Sequence, residues 1–435
     1  MSQSEIMYNK KNVFEIAKCD SEMLVKKYGS PLYVMNENTL EEKCQMFKNI
    51  LADLYPNSIV SYASKAFCCK YIYNFIKKYN FYCDVVSLGE LFTAVNAKFD
   101  PAKIFFHGNN KTIEEIAYAI KNKVYNFIVD NETEFENILK QVKGNSFLKK
   151  KINLIIRVNP GIIAHTHEYV ETAKEDSKFG LNISDPETEK FIDKVYNNKD
   201  INLLGLHYHI GSQIFNKEPF SIACKKIMSY ICLLKQKHNI DIKLLNVGGG
   251  FGAWYTQKDQ KMQENDYKKI IKAIVFEVNN AVKKYNLVEP TLVIEPGRSI
   301  VAEAGTTLYT VGNIKEIKGV RKYVSVDGGM FENPRCALYG AEYTAVKCKT
   351  TSDKLEKVTI VGKCCESGDV ITKDVKLEKV QPGDIIAVLS TGAYNYSMAS
   401  NYNRNLIPPV VAVNNGKSRL IIKGQSYKDL IKNDL

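Results

Sequence analysis

The sequence predicts an α/β chain closed into a (β/α)8 barrel and joined to an all-β domain. Three observations carry this expectation. From Ser58 to Arg298 short apolar runs alternate with longer amphipathic ones; polar residues recur where the apolar runs end; and after about Gly305 strand-like pieces separated by turns replace the helical periodicity.

Eight strand-like runs are legible: Ile59–Ser64, Tyr82–Val86, Lys103–Phe106, Asn126–Val129, Ile152–Val158, Leu203–His209, Leu244–Val247 and Leu292–Ile294. Each is short, apolar and often β-branched or aromatic. Helical stretches fall between them, at Lys70–Lys78, Leu88–Asn96, Ile113–Lys121, Glu132–Gln141, Glu187–Tyr196, Phe220–Lys237 and Tyr267–Lys284. Thr112 and Glu115 have the spacing of a capping box at the start of the third stretch. Strands alternating with helices imply parallel pairing, and eight such units close into a barrel of roughly 250 residues. An open doubly wound sheet is the competing arrangement. The barrel is preferred because Lys65, Asp84, His107, Asp130, Asn159, His209, Gly248 and Glu295 stand at or just past strand ends. A barrel gathers such positions at one rim.

The later part reads as strands Leu308–Val311, Tyr323–Val326, Val358–Val361, Ile385–Val388, Val410–Val413 and Arg419–Ile422. Asp327-Gly328-Gly329, Pro382-Gly383-Asp384 and Asn415-Gly416 mark turns. The expected domains are a barrel over 40–304 and a β-barrel or β-sandwich over 305–435, to which 1–39 contributes.

Composition narrows the function. With 45% hydrophobic and 11% aromatic residues, the chain is not disordered. The net charge of +12 comes from dispersed lysines whose densest run is Lys149–Lys151, so a nucleic-acid partner is not expected. No apolar run approaches the roughly 20 residues that span a bilayer, so no membrane association is expected. Met1–Asn12 is polar and lacks a signal core, and the 11 cysteines are an odd number, so reduced thiols in a cytoplasm are expected.

Several motifs carry chemistry. Lys65 ends the first strand in Tyr62-Ala63-Ser64-Lys65-Ala66-Phe67, and small apolar flanks would desolvate its amine into a nucleophile, although a surface lysine is the plain alternative. Gly248-Gly249-Gly250-Phe251-Gly252 follows the seventh strand, where barrels commonly bind phosphate; a tight turn is the alternative. Glu295-Pro296-Gly297-Arg298 follows the eighth, and its carboxylate could hold a cationic ring nitrogen or merely pair at the surface. His207 and His209 share a strand face and raise the thought of zinc, as does His165-x-His167, but no third ligand stands nearby and no metal is expected. Cys364-Cys365-Glu366-Ser367-Gly368-Asp369 suits a loop, where a protonated thiol can donate a proton. Arg335–Gly340 and Gly392–Ser397 add an arginine and tyrosines suited to carboxylate and phosphate.

Jointly these motifs resemble the barrel-type pyridoxal-phosphate decarboxylases (fold type III), and within them the diaminopimelate branch, over about Asn12 to Lys423. Cys365–Ser367 and the Ala-Leu-Tyr-Gly after Cys336 separate that branch from ornithine and arginine decarboxylases. The resemblance implies an alanine-racemase-like fold and conversion of meso-diaminopimelate to L-lysine, the last step of lysine biosynthesis. It implies that Lys65 forms the Schiff base, His209 stacks on the ring and Glu295 keeps the ring nitrogen protonated. Asp84, Ser212, Gly249, Gly250, Pro296, Gly297, Arg298 and Tyr394 would lie around the cofactor. Arg298, Arg335, Tyr339 and Tyr394 would contact substrate, Glu366 its distal ammonium, and Cys365 would donate the proton. Cys365 and Glu366 would come from the partner subunit of a homodimer. Leu88 and Cys336 depart from the family's usual Gly and Pro, which touches loop shape only. The rivals are a racemase or another decarboxylase on the same scaffold, and a catalytically inactive homologue that regulates a partner.

Overall fold

Eight short strands pair in parallel and in chain order in the computed structural model, which describes residues 8–144, 151–162, 177–351 and 354–435. They are Ser58–Ala63, Tyr82–Val85, Ile104–Phe106, Asn126–Val129, Ile152–Asn159, Ile201–His207, Leu244–Asn246 and Thr291–Ile294. The ring closes where the eighth meets the first, with Leu292 opposite Ser58. An open doubly wound sheet reverses its strand order about an interior first strand and ends in two unpaired edges, which this closed ring in chain order does not do. One apolar cluster draws a residue from every strand: Ile59, Tyr82, Phe105, Ile128, Ile155, Leu204, Leu244 and Val293. Only inward-facing positions of a closed ring can meet in this way, so this layer plugs the barrel.

Short polar residues after the strands start the helices. Ser87, Thr112, Asn131 and Asp185 each accept a backbone N–H from the first turn of Leu88–Asn96, Ile113–Lys121, Glu132–Lys143 and Pro186–Tyr196. The capping box at Thr112 is formed in both directions, Thr112 N–H to Glu115 Oε2 at 2.9 Å and Glu115 N–H to Thr112 Oγ1 at 3.2 Å. Two long helices, Glu218–His238 and Glu264–Tyr285, follow the sixth and seventh strands. A further helix, Glu37–Leu54, was not among the sequence expectations. Its buried Leu40, Cys44, Phe47 and Leu51 recur every three or four residues, so its signal was present in the pattern.

The chain divides into two compact units: Cys44–Gly252 with Met262–Gly297, and Met1–Lys43 with Ala253–Lys261 and Arg298–Leu435. The short excursion Ala253–Lys261 thus belongs with the sheet unit, and the second division falls between Gly297 and Arg298. The sheet unit is organised by Gly305–Ile317. Its first half pairs antiparallel with Leu32–Asn36 on one side and Ile385–Leu389 on the other. Beyond a register shift at Val311/Asn313 it pairs with Arg321–Val326. Leu32–Asn36 is the strand supplied by the N-terminal segment, and it also pairs with Val410–Asn414. Several strands escaped the sequence reading, among them Ala345–Lys347 and Val370–Glu378 and the two-residue pieces Glu15–Ile16, Cys19–Asp20 and Leu181–Asn182. Val370–Glu378 lies at the end of the sheet path and exposes Lys373 and Asp374, so an edge position replaces the apolar alternation of an inner strand.

Two buried features give checks on this packing. A methyl group on Gly205, in the sixth strand, would meet the Leu244 carbonyl oxygen at 1.9 Å, so the sixth and seventh strands need a glycine there. Gly205→Ala should cost about 1–3 kcal/mol of overpacking in urea unfolding, and unchanged stability would remove the close-approach argument. In the sheet unit Glu332 is fully buried; Tyr309 Oη donates to its Oε1 at 2.5 Å, while its Oε2 has no hydrogen-bond partner. Burial pushes this carboxyl up to about 8. From the unfolded value of about 4.3 up to that pH the unfolded chain holds fewer protons, so this residue makes the protein lose stability as pH rises. Between pH 5 and 8 Glu332→Gln should gain on the wild type by up to roughly 1.4 kcal/mol per pH unit. A stability difference that does not change with pH contradicts the assignment.

Candidate active site

Lys65 stands in a single turn, Ser64–Ala66, directly after the first barrel strand. The Ser64 N–H donates to Asp84 Oδ1 at 2.9 Å, which ties this turn to the end of the second strand. Ser64 and Ala66 are buried but Lys65 is exposed. The expected desolvation of its amine by an apolar pocket is therefore not found. Charge surrounds it instead: its cation acts on Asp84, Glu90 and His209.

Glu295, just past the eighth strand, is the most heavily partnered acid at this rim. Its Oε1 accepts from Asn246 Nδ2 at 2.6 Å and lies 3.0 Å from His107 Nε2; its Oε2 lies 3.3 Å from His207 Nε2. Burial works to raise its pKa, but His107 and His207 outweigh burial and hold the carboxyl well below the usual range. Burial also lowers both imidazoles, His207 to about 4, while the Glu295 charge works to raise them. Asp84 goes the other way: burial first, then the Glu295 charge, push it well above the usual carboxylate range. Two acids of one rim are thus driven apart, Asp84 towards the protonated form and Glu295 towards the ionised one.

His207 and His209, two apart in sequence, take different partners. His207 turns to Glu295, whereas His209 Nδ1 accepts the Gly249 N–H at 3.1 Å. His207 and His209 do not share a ligand position. The fold instead brings His207 together with His107 and Glu295, whose ligand atoms all lie within 4.8 Å of one another, so the further ligands not seen near His207 in the sequence are supplied by other strands. His165 and His167 lie outside the described residues.

The glycine run is shaped by close approach. A methyl group on Gly249 would meet the Glu295 carbonyl at 2.2 Å, and Gly250 has φ +107° with the Gly211 carbonyl 2.7 Å from where its Cβ would be. The Ile214 N–H donates to Gly250 O at 2.9 Å and the Gly252 N–H to Ile214 O at 3.0 Å, so the loop bearing Ser212 runs alongside. Amides of Gly248 and Gly249 already donate to Asn246 and His209. The amides of Gly248, Gly249 and Gly252 are thus engaged within the fold. Pro296 and Gly297 seat the eighth-strand loop against the first strand: the Ala63 N–H donates to Pro296 O at 3.3 Å, and a Gly297 Cβ would meet Ala63 Cβ at 2.7 Å.

The sheet unit gathers a second set. Arg298 and Arg335 are both buried. Arg298 donates to Tyr255 Oη at 2.7 Å and lies over the Tyr394 ring, 4.8 Å from its centroid. Arg335 donates to Tyr343 Oη at 2.8 Å and lies 5.1 Å from the Tyr255 centroid and 5.9 Å from that of Tyr394. Tyr255 and Tyr343 were missed by the sequence reading; each is one of 26 tyrosines and stands in no motif that marks it. Tyr339 ends the short helix Arg335–Tyr339 and is half-buried. Cys365 and Glu366 are exposed. Their loop is held by Asp369, which accepts from Cys364 and Met330 N–H groups, and by Asn403, which accepts from the Cys365 N–H at 2.8 Å. These hydrogen bonds do not run to either arginine.

A closed parallel barrel with an exposed lysine, an ionised carboxylate and a glycine cradle at its strand ends defines the pyridoxal-binding decarboxylase class. The sequence profile described as "Pyridoxal-dependent decarboxylase, pyridoxal binding domain" matches residues 37–302. The chain is 43% identical to a diaminopimelate decarboxylase of Bacillus subtilis (strain 168), covering 98% of this chain and 96% of that one. It is 42% identical to one of Staphylococcus aureus (strain COL), covering 99% of both. A crystal structure of diaminopimelate decarboxylase from M. jannaschii in complex with L-lysine superposes with a TM-score of 0.89 at 35% identity, over 98% of this chain and 96% of that one. The chain belongs to the diaminopimelate decarboxylase family of pyridoxal-dependent decarboxylases.

Proposed function

We propose that this chain decarboxylates meso-2,6-diaminopimelate to L-lysine and carbon dioxide with pyridoxal 5′-phosphate, the last step of lysine biosynthesis. One observation carries the reading: a buried, ionised Glu295 at the same barrel rim as the exposed amine of Lys65. A buried carboxylate kept ionised is the complement of a cationic ring nitrogen. The residues fit the cofactor, because Lys65 offers the amine, Gly250 and Ser212 a cradle that a Cβ at residue 250 would fill, and His209 an imidazole held by Gly249. When bound, pyridoxal phosphate supplies an electron sink for carbanion chemistry.

The chain's own groups do the rest. Lys65 would hold the cofactor through its amine. Glu295 would face the ring nitrogen as its counter-charge, and Asp84, Pro296 and Gly297 shape the rim beside Lys65. Arg298 and Tyr394 serve the phosphate and the substrate, and Arg335 with Tyr339 takes the distal carboxylate. Two buried guanidinium groups stacked on tyrosines favour a dicarboxylic ligand, since such groups bind carboxylates in fixed geometry. The bond from Cα to its carboxylate breaks, carbon dioxide leaves, and the Cys365 thiol returns a proton to Cα. Glu366 takes the distal ammonium. The exposed Cys365 and Glu366, in a loop tied away from both arginines, support service to a second copy of the chain in a homodimer. All 11 cysteines are free, which fits a reducing compartment such as the cytoplasm, and no helix of the described residues is long and apolar enough to cross a membrane.

The direct test is incubation with pyridoxal phosphate and meso-diaminopimelate, alongside ornithine and arginine. L-Lysine and carbon dioxide in equal amounts, from diaminopimelate alone, are expected; no release of carbon dioxide from it overturns the reading. Cys365→Ala should bind cofactor normally yet lose about 100-fold or more in kcat, and a variant with wild-type kcat removes the thiol as proton donor. Arg335→Ala should raise KM for diaminopimelate far more than the inhibition constant of a monocarboxylic amino acid. Equal changes in both would end the selectivity argument.

A further inference from the structure

We infer that His107 and Asn246, together with His207, are positioning residues for Glu295, meeting its carboxylate on both oxygens. The inference rests on the pyridoxal-phosphate reading of the site and assigns roles that the motifs did not. It begins with three strand ends. His107 follows the third strand, His207 ends the sixth and Asn246 ends the seventh. They converge on one carboxylate that is only 6% exposed.

The amide orientation of Asn246 is fixed by its other contact. Its Oδ1 accepts the Gly248 N–H at 2.9 Å, which only an oxygen can do, so Nδ2 must face Glu295. The same side chain therefore sets both the first glycine of the cradle and the carboxylate. His107 and His207 meet edge to face, with ring centroids 5.0 Å apart at 84°. Each presents Nε2 to a different Glu295 oxygen. The His207 approach is a hydrogen bond; that of His107 is as close as an ion pair but not aligned as a hydrogen bond. Lys111 anchors the loop after His107, donating to Gly108 O and Ile128 O at 2.8 Å and to Glu134 at 2.6 Å.

A carboxylate at this depth is expensive to ionise unless several donors meet it. The charged and titratable groups that face Glu295 from the surrounding strands are Asp84, His107, Arg157, His207 and His209. Asp84 opposes its ionisation, and Arg157 is engaged with Asp130 at 3.7 Å. Removing the His107 ring nitrogen or the Asn246 donor leaves His207 alone to oppose Asp84 and burial. The carboxyl then takes up a proton at higher pH, and a cationic ring loses its counter-charge.

The test is the pH dependence of cofactor affinity, measured by fluorescence quenching on the full-length apoprotein without substrate. His107→Phe removes the ring nitrogen at similar volume; Asn246→Asp keeps the acceptor for Gly248 but replaces the donor to Glu295 by a like charge. Relative to wild type, both should weaken pyridoxal-phosphate binding by roughly tenfold, with the loss growing as pH falls through the raised Glu295 pKa. His107→Gln, which restores an N–H donor, should recover most of the affinity. If His107→Phe does not fold, Asn246→Asp decides alone. Wild type that fails to bind pyridoxal phosphate defeats the functional reading itself. Wild type that binds, with variants whose affinity and pH profile match it, defeats this inference only.

Discussion

One negative charge, on Glu295, organises the barrel end of this molecule. It is buried, yet it stays ionised, because Asn246 and two imidazoles face it from three different strands. That convergence is possible only when the ring is closed and in register, since the third, sixth and seventh strands meet the eighth from different sides. The glycines then follow from the same demand. Gly249 must pass the Glu295 carbonyl without a side chain, and Gly248 must give its N–H to Asn246. The glycine run and the buried carboxylate are thus two parts of one hydrogen-bonded arrangement rather than separate motifs.

The sheet unit handles the opposite charge by another route. Tyrosine faces and hydroxyls line Arg298 and Arg335, which are both buried. Aromatic faces stabilise a guanidinium while leaving it its charge. In the barrel the buried anion is held by donors from three other strands.

Much of this was legible in the chain. The eight strands and the helices between them were marked by short apolar runs and capping residues, and the barrel followed from polar strand ends such as Asp84, His107 and Glu295. Lys65, His209 and the glycine run were visible because their residue types are rare at such positions. Other features left no mark. Tyr255 and Tyr343 acquire meaning only from the arginines that fold against them. Val370–Glu378 hides as a strand because an edge tolerates lysine and aspartate. The exposure of Lys65 contradicted its apolar flanks, because neighbours along a strand-end turn point away from each other. What is local in sequence was readable; what depends on a partner brought by closure was not.

The excursion Ala253–Lys261 leaves the barrel between the glycine run and the helix Glu264–Tyr285, and carries Tyr255 to Arg298 and Arg335. The two units are consequently interleaved along the polypeptide rather than strung in tandem. A gene cut at the end of the eighth strand would not yield a free-standing module, for the barrel fragment would retain a stretch whose native neighbours had been discarded. Recombination between relatives that swaps one unit wholesale must likewise exchange that stretch with it, so the molecule is inherited as a single piece.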